Sequence, residues 1–299
     1  MTGERLFRGV SAFPITPADA GGRVDTALLG RLLERLCEAG VDSIGLLGST
    51  GTYVYLTREE RRRAVAAAVE CVGRRVPLIV GVGALRTDHA EALARDARDA
   101  GADALLMAPV SYTPLTQDEA FEHYRAVAGA TELPLCVYNN PATTHFQFGP
   151  ELLQRLAAID TIRAVKMPLP ANGDYVGELA ALRERTGLAV GYSGDWGTAD
   201  ALLAGADAFY SVLAGLLPGP VLRLARAAAK GEAAEARRLD ATLGPLWDTF
   251  RAHGSLRVMY ALVSILEIGE AAPPLPIRPL DGDARDAVAR AVEPLLAGS

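Results

Sequence analysis

The stretch PLIVGVGALRTDHAEALARDARDAGADALLMAP, residues 77–109, decides the fold because it holds one complete strand–helix–strand unit. Its two ends, PLIVGVG and ADALLMAP, are short apolar runs without strict alternation, which is typical of parallel strands buried on both faces. Between them, TDHAEALARDARDAG starts with a threonine that can cap a helix and ends in glycine, a common helix terminus. The stretch therefore predicts a β-α-β unit of a parallel sheet.

The same unit recurs along the whole chain. Six further apolar runs alternate with helical patterns: FRGVSAF, SIGLLG, LPLCVYN, IRAVKM, LAVGYSG and DAFYSV. Eight strand–helix units in succession favour an α/β fold of the (β/α)8 TIM barrel type over the alternative, a doubly wound sheet. More helical patterns follow the eighth run. We therefore expect a barrel catalytic domain over residues 1–217 and a C-terminal helical extension, packed on the barrel, over residues 218–299.

Composition and charge argue against several classes of function. The 299 residues carry 30 Lys and Arg against 36 Asp and Glu, and REERRR, residues 58–63, fits the solvated face of a helix, so no nucleic-acid partner is expected. Three widely spaced cysteines fit no metal site and suggest reduced thiols. MTGERLFRGV lacks an apolar signal core, and no run approaches the ~18 apolar residues of a membrane span. A cytoplasmic protein without a membrane partner is expected.

In a (β/α)8 barrel the chemistry lies at the C-terminal ends of the strands. Here these ends carry mostly hydroxyl groups, with one lysine and one aspartate, in chain order Thr16, Ser49, Thr50, Tyr112, Tyr138, Lys166, Ser193, Asp195 and Tyr210. They hold no cluster of histidines and carboxylates that would predict a metal site. The GSTG turn, residues 48–51, can present backbone N–H groups to a carboxylate or a phosphate.

Lys166 predicts Schiff-base chemistry. A neutral amine attacks a carbonyl, and the resulting iminium is an electron sink for forming or breaking a C–C bond. Structural alternatives exist for each residue, because a lysine at a strand end often snorkels or forms a salt bridge. Tyr138 alone fits a core aromatic residue, and GSTG alone fits an ordinary turn. Their joint placement at strands two, five and six is what favours catalysis.

Four motifs together give the chain a family resemblance. LGSTGT, VYNNP, AVKM and YSGD, in this order and spacing, resemble motifs of the dihydrodipicolinate synthase and N-acetylneuraminate lyase family of pyruvate-dependent class I aldolases. The resemblance covers nearly the whole chain. It implies a (β/α)8 barrel with a C-terminal helical extension, acting on pyruvate or a related 2-oxo acid and on an aldehyde. It implies no metal and no organic cofactor.

The resemblance also implies roles for single residues. Lys166 would form the Schiff base, Tyr138 would be the general acid and base, and Ser49 would belong to a hydroxyl relay. Tyr112 would complete that relay from a neighbouring subunit, with Ser111 as the alternative, so a homo-oligomer is expected, a tetramer by the family pattern and at least a dimer. The expected substrate-binding residues are Thr50, which would hold the 2-oxo acid carboxylate, and Thr16, Thr143, Ser193 and Tyr210.

The departures from the family pattern concern the second substrate. Thr52 replaces the glutamate after the turn, and Thr143 replaces the arginine that binds the aspartate semialdehyde carboxylate in dihydrodipicolinate synthases. A threonine cannot form a charge-assisted, bidentate contact. We therefore expect a Schiff-base-forming aldolase or lyase with a different aldehyde. The alternatives are a true 4-hydroxy-tetrahydrodipicolinate synthase, a dehydratase or aldolase for 2-keto-3-deoxy sugar acids, and a non-catalytic small-molecule binding barrel.

Overall fold

Eight parallel strands close into a barrel in the computed structural model, which describes residues 6–296. Each strand pairs with the next along the chain, and β8 pairs with β1, so the predicted TIM barrel is confirmed and the doubly wound sheet is excluded. The strands are β1 Gly9–Ala12, β2 Ser43–Leu46, β3 Leu78–Gly81, β4 Ala104–Met107, β5 Leu135–Tyr138, β6 Ile162–Pro168, β7 Ala189–Ser193 and β8 Ala208–Ser211.

Helices connect the strands and follow the last one. They are α1 Thr26–Ala39, α2 Arg58–Val72, α3 Thr87–Ala100, α4 Gln117–Ala128, α5 Pro141–Thr144, α6 Pro150–Ala157, α7 Tyr175–Thr186, α8 Thr198–Leu203, α9 Pro218–Ala229, α10 Ala233–His253, α11 Ser255–Ile265 and α12 Gly282–Leu296. Within residues 6–296, no helix is long and apolar enough to cross a membrane.

Local sequence sets where the helices begin and end. Asp25 caps α1 by accepting hydrogen bonds from two backbone N–H groups, and Gly40 ends the helix in the left-handed conformation at φ 69°. Thr116 and Glu119 form a reciprocal capping box at the start of α4. These caps satisfy backbone groups that helix ends leave without partners, so they fix the register between each helix and its strand.

The C-terminal helical region is confirmed, and it is continuous with the barrel. Helix α9 packs against β1, α1 and α8, and α10 to α12 pack on one another beside it.

The predicted boundary after residue 217 separates β8 from α9 and stays a prediction. Residues 1–5 and 297–299 hold the outer ends of both predicted domains and the start of the N-terminal stretch considered for a signal, and they lie outside the described residues.

Phe13 fills the barrel interior just below the catalytic face. A Cβ atom at Gly45 would lie 2.2 Å from its ring, and one at Gly48 would lie 2.6 Å from it, so both positions must lack a side chain. The ring also packs edge-to-face on Tyr210, with the centroids 6.0 Å apart. Interiors are packed too densely to accept an added methyl group here without displacing the ring.

We predict that Gly45→Ala destabilises the protein and that Gly30→Ala does not. Overpacking against Phe13 should lower the free energy of unfolding by about 1–3 kcal/mol. Gly30 lies inside α1 with open space around its Cα. Alanine there should raise stability by up to about 1 kcal/mol, because it stiffens the unfolded chain and favours the helix. Thermal unfolding of the two variants checks this, and equal midpoints would contradict it.

Candidate active site

Lys166 and Tyr138 lie side by side at the C-terminal ends of β6 and β5. The two residues are register partners in the barrel, so the sheet itself sets their separation. The Lys166 amine lies 4.1 Å from the centre of the Tyr138 ring. Neighbouring strands of a barrel cannot slip by one residue without turning every side chain to the other face, so this pairing is firmly specified.

The Lys166 amine occupies an aromatic cage. The residue is only 3% exposed, and its Nζ atom lies 3.9 Å from the Phe13 ring centre and 5.4 Å from that of Tyr210. Lys166 forms no salt bridge with any residue of the described range 6–296. The ion-paired or snorkelling interpretation of this lysine therefore does not apply.

Two side chains reach the Tyr138 hydroxyl. The Ser49 hydroxyl donates to it at 3.5 Å, and the Asn140 amide donates to it at 3.0 Å. Three of the four residues predicted to be catalytic, Lys166, Tyr138 and Ser49, thus lie together in the fold. A hydroxyl oxygen can accept two hydrogen bonds and still donate its own proton.

The GSTG turn closes over the end of β3. Gly81 permits this closure, since a Cβ atom there would lie 1.9 Å from the Leu47 carbonyl oxygen. Thr50 is buried in the turn, and the hydroxyl oxygen of Thr16 lies 3.1 Å from where a Cβ atom of Gly51 would be. Within residues 6–296 the buried Thr16 hydroxyl has no hydrogen-bond partner, and its predicted contact with substrate stays a prediction.

The remaining predicted binding residues lie at three different places relative to this cluster. Ser193 donates to the Met167 carbonyl at 3.4 Å, which places it beside β6. Tyr210 lies beneath the amine, and its hydroxyl is 3.5 Å from the Cys136 sulfur. Burial raises the pKa of the Cys136 thiol to about 12. Thr143 is exposed on α5, where its hydroxyl accepts a hydrogen bond from Asn140 at 2.9 Å.

Tyr112 projects away from the cluster. It is 96% exposed, and in the described chain no hydrogen bond joins it to Ser49 or Tyr138. Ser111, the alternative, donates instead to the Thr113 carbonyl of its own loop. A hydroxyl relay through Tyr112 within one subunit is not formed, and its contribution from a second subunit stays a prediction.

The expectation that residues 58–63 form a solvated helix face is wrong at Arg61. Its guanidinium is buried and donates to the carbonyls of Gly81 and Gly83 at 2.8 and 3.0 Å. It also lies 5.1 Å from the Tyr53 ring centre, and burial lowers its pKa to about 10. The forked guanidinium spans two carbonyl groups at the end of β3, which a helical charge pattern does not reveal.

Sequence reasoning missed Phe13 and did not predict the contacts of Asn140 and Asp195. Phe13 follows β1 directly and carries no motif of its own. Asn140 stands in the VYNNP motif, but only the fold shows that it contacts the Tyr138 hydroxyl. Asp195 is buried and accepts hydrogen bonds from the Ser211 hydroxyl and from the N–H groups of Val212 and Leu213.

Asp195 ties the end of β7 to the loop after β8. Burial raises the pKa of its carboxyl group, while the hydrogen bonds and the nearby Lys166 amine act in the opposite direction. Its three donors come from one short segment, residues 211–213. The carboxylate therefore fixes this segment, which follows Tyr210 at the C-terminal end of the barrel, called the mouth of the site below.

A closed eight-stranded barrel with a caged lysine beside a tyrosine hydroxyl defines a class I, lysine-dependent aldolase or lyase. The profile of the Dihydrodipicolinate synthetase family matches residues 6–295, and the chain belongs to that family. Members of the family are pyruvate-dependent class I aldolases and lyases, so the protein is an enzyme of this type.

Proteins similar to this chain carry names from the same family. The 4-hydroxy-tetrahydrodipicolinate synthase of Salinibacter ruber is 37% identical over 82% of this chain and 81% of its own length. The enzyme of the same name from Corynebacterium aurimucosum is 35% identical over 97% of this chain and 95% of its own. A crystal structure of dihydrodipicolinate synthase from Agrobacterium tumefaciens is 60% identical, covers 98% of this chain and 99% of that one, and superposes with a TM-score of 0.96.

We predict that Asp195→Ala strongly destabilises the mouth. The change leaves one hydroxyl and two backbone N–H groups buried without an acceptor, which should cost about 3 kcal/mol or more in the free energy of unfolding. Asp195→Asn keeps one acceptor oxygen and should cost less. Thermal unfolding of both variants tests this, and an alanine variant as stable as the wild type would show that the segment rearranges freely.

Proposed function

We propose that the enzyme forms a Schiff base between Lys166 and pyruvate, or a related 2-oxo acid, and joins it to an aldehyde. The observation that carries the proposal is the Lys166 amine, which is buried, has no salt-bridge partner among residues 6–296 and lies against the Tyr138 ring. A crystal structure of the dihydrodipicolinate synthase of Acinetobacter baumannii, 29% identical with a TM-score of 0.87, contains pyruvate, which supports the choice of 2-oxo acid.

The proposed reaction begins with attack of the Lys166 nitrogen on the keto carbon, while the carbonyl oxygen takes a proton from Tyr138. The attacking nitrogen, now positively charged, returns a proton to the Tyr138 oxygen, and Tyr138 then protonates the carbinolamine hydroxyl, which leaves as water, so that an iminium remains. The ionised Tyr138 oxygen takes a proton from the adjacent methyl group to give an enamine, whose carbon attacks the aldehyde, and the aldehyde oxygen takes that proton to become a hydroxyl. Hydrolysis of the product iminium releases the free lysine.

The proposed carboxylate site is the turn that contains Ser49 and Thr50. Its backbone N–H groups and hydroxyls can hold an anion close to Lys166. Thr16 supplies a buried hydroxyl beside the turn that lacks a partner in the described chain, and Ser193 and Tyr210 line the opposite wall. Ser49, which donates to Tyr138, would pass protons between the tyrosine and the substrate.

The second substrate distinguishes two candidate functions. The names of the relatives favour aspartate semialdehyde, and hence a true 4-hydroxy-tetrahydrodipicolinate synthase. The hydroxyl of Thr143 and the amide of Asn140 at the mouth favour an uncharged or hydroxylated aldehyde, because neither group supplies a countercharge for a second carboxylate. We favour the uncharged aldehyde. A dehydration of a 2-keto-3-deoxy sugar acid would use the same iminium.

We also propose that the enzyme works in the cytoplasm as a homo-oligomer. Tyr112, Leu85 and Val54 are 96%, 67% and 53% exposed and follow three neighbouring strands at the catalytic end of the barrel. Large apolar side chains exposed together are typical of a protein interface. A second copy placed there would cover them and bring its own Tyr112 towards the site.

Borohydride reduction in the presence of pyruvate should attach one adduct to Lys166. The chain contains two lysines, and the other, Lys230, is exposed at the end of α9. Lys230→Arg should therefore still be trapped, whereas Lys166→Arg should not. Peptide mass mapping identifies the modified residue, and an adduct that persists in Lys166→Arg would refute the proposal.

Aspartate semialdehyde should be a poor second substrate. Loss of an ionic hydrogen bond costs about 1.5–3 kcal/mol, roughly 10–150-fold in binding. Pyruvate adduct formation should be normal, while KM for this aldehyde should be high. Thr143→Arg should improve its use, and Ala142→Arg, which places the same charge one residue earlier on α5, should not. A wild-type kcat/KM on the order of 10⁵ M⁻¹s⁻¹ or more would instead favour the synthase.

A further inference from the structure

Asn140 lies between the catalytic tyrosine and the entrance of the site. It stands between β5 and α5, and Pro141 follows it, which restricts its backbone conformation. Its carbonyl oxygen accepts the backbone N–H groups of Thr143 and Thr144 and the Thr144 hydroxyl, each at 3.0 Å. With its main chain held by these hydrogen bonds, Asn140 presents its side chain in a defined direction.

The Asn140 amide nitrogen donates to two hydroxyl groups. One is that of Tyr138 at 3.0 Å and the other is that of Thr143 at 2.9 Å. An amide nitrogen carries two N–H donors, so these contacts use both of them. The two hydroxyls belong to different parts of the proposed site, since Tyr138 lies against Lys166 and Thr143 is exposed at the mouth.

We infer that Asn140 is a positioning residue that orients the hydroxyl hydrogens of Tyr138 and Thr143 towards substrate. This inference rests on the proposed function, in which Tyr138 moves protons and Thr143 meets the aldehyde. The Tyr138 oxygen accepts from Asn140 and, at 3.5 Å, from Ser49. With both acceptor directions occupied, its own O–H points away from these donors and is available to the carbonyl oxygen of the 2-oxo acid.

The same argument applies at the entrance. The Thr143 oxygen accepts from Asn140, so its hydrogen is free to be donated to an oxygen of the aldehyde. An arginine at this position would attract a carboxylate, whereas a hydroxyl oriented as a donor selects a carbonyl or hydroxyl oxygen. One amide group therefore links proton transfer at Lys166 with recognition of a neutral second substrate.

A donor to the tyrosine oxygen also has a consequence for pH dependence. Hydrogen bonds to an ionised oxygen favour the ionised form. If Asn140 donates to Tyr138, its removal should shift the pH profile of imine formation towards higher pH. A side chain that only packs beside the ring would leave this profile unchanged.

The test measures the rate of pyruvate imine formation by rapid borohydride quenching, from acid to alkaline pH. Asn140→Leu keeps the branched shape and removes both N–H donors without adding a charge, and Asn140→Val removes all polarity from a smaller side chain. A net hydrogen bond is worth about 0.5–1.5 kcal/mol, so each variant should be slower by roughly 2–12-fold or more. Gln147→Val removes an exposed amide side chain from the segment that follows α5, and it should match the wild type.

A double-mutant cycle assigns the effect to the tyrosine. In a Tyr138→Phe background, Asn140→Val should cause no further loss in imine formation, because the hydroxyl through which it acts is absent. Circular dichroism and thermal unfolding show whether each variant is folded, and Asn140→Leu serves as the test if Asn140→Val is not.

The possible results separate this inference from the proposed function. If the wild type forms no adduct with pyruvate, the proposed function fails and the role of Asn140 fails with it. If the wild type reacts and the Asn140 variants keep its rate and pH profile, only the role of Asn140 is refuted. An equal loss in Gln147→Val, or a full additional loss in the Tyr138→Phe background, would also refute it.

Discussion

The buried amine of Lys166 is the feature on which the rest of the site depends. Removing an ammonium group from water costs several kcal/mol unless something replaces its hydration. No salt bridge within residues 6–296 does so, and the ring faces of Phe13, Tyr138 and Tyr210 surround the amine instead. Aromatic faces attract a cation by about 0.5–2 kcal/mol each, less than a buried carboxylate would. The cage can therefore hold the amine without an ion pair that would block attack on a carbonyl.

Barrel closure is what makes that cage possible. Phe13 comes from the end of β1, Tyr138 from β5 and Tyr210 from β8, so the three rings meet only when the sheet closes on itself. Space for Phe13 depends in turn on Gly45 and Gly48, where any side chain would collide with the ring. The glycines of β2 and its turn therefore leave room for the Phe13 ring, which in turn lies against the Lys166 amine at β6.

The fold and the centre of the site could be predicted because they follow from periodic patterns and strand ends. Eight apolar runs separated by helical segments specify the barrel, and the barrel brings the ends of β5 and β6 together with Tyr138 and Lys166. The remaining features depend on the direction in which a side chain points. Contacts with residues distant in the chain set that direction, so a local stretch of sequence does not reveal it. Arg61 follows the pattern of an exposed helix face, yet carbonyl groups at the end of β3 draw it inward. Asn140 is one of two adjacent asparagines, and only the turn into α5 decides which of them faces the tyrosine.

The groups at the entrance of the site, Asn140 and Thr143, differ in polarity from the groups around Lys166 at its base. At the base, the Lys166 amine lies among aromatic rings, near a thiol whose pKa burial raises to about 12. At the mouth, Asn140 and Thr143 offer hydrogen bonds without a formal charge. Neutral hydrogen bonds are roughly half as strong as charge-assisted ones, so they bind a charged aldehyde weakly but cost little to desolvate for an uncharged one. Hydrogen bonds extend from Ser49 through Tyr138 and Asn140 to Thr143, so under the proposed function proton transfer and aldehyde recognition would depend on each other, because a change in either hydroxyl alters the donors available to the other.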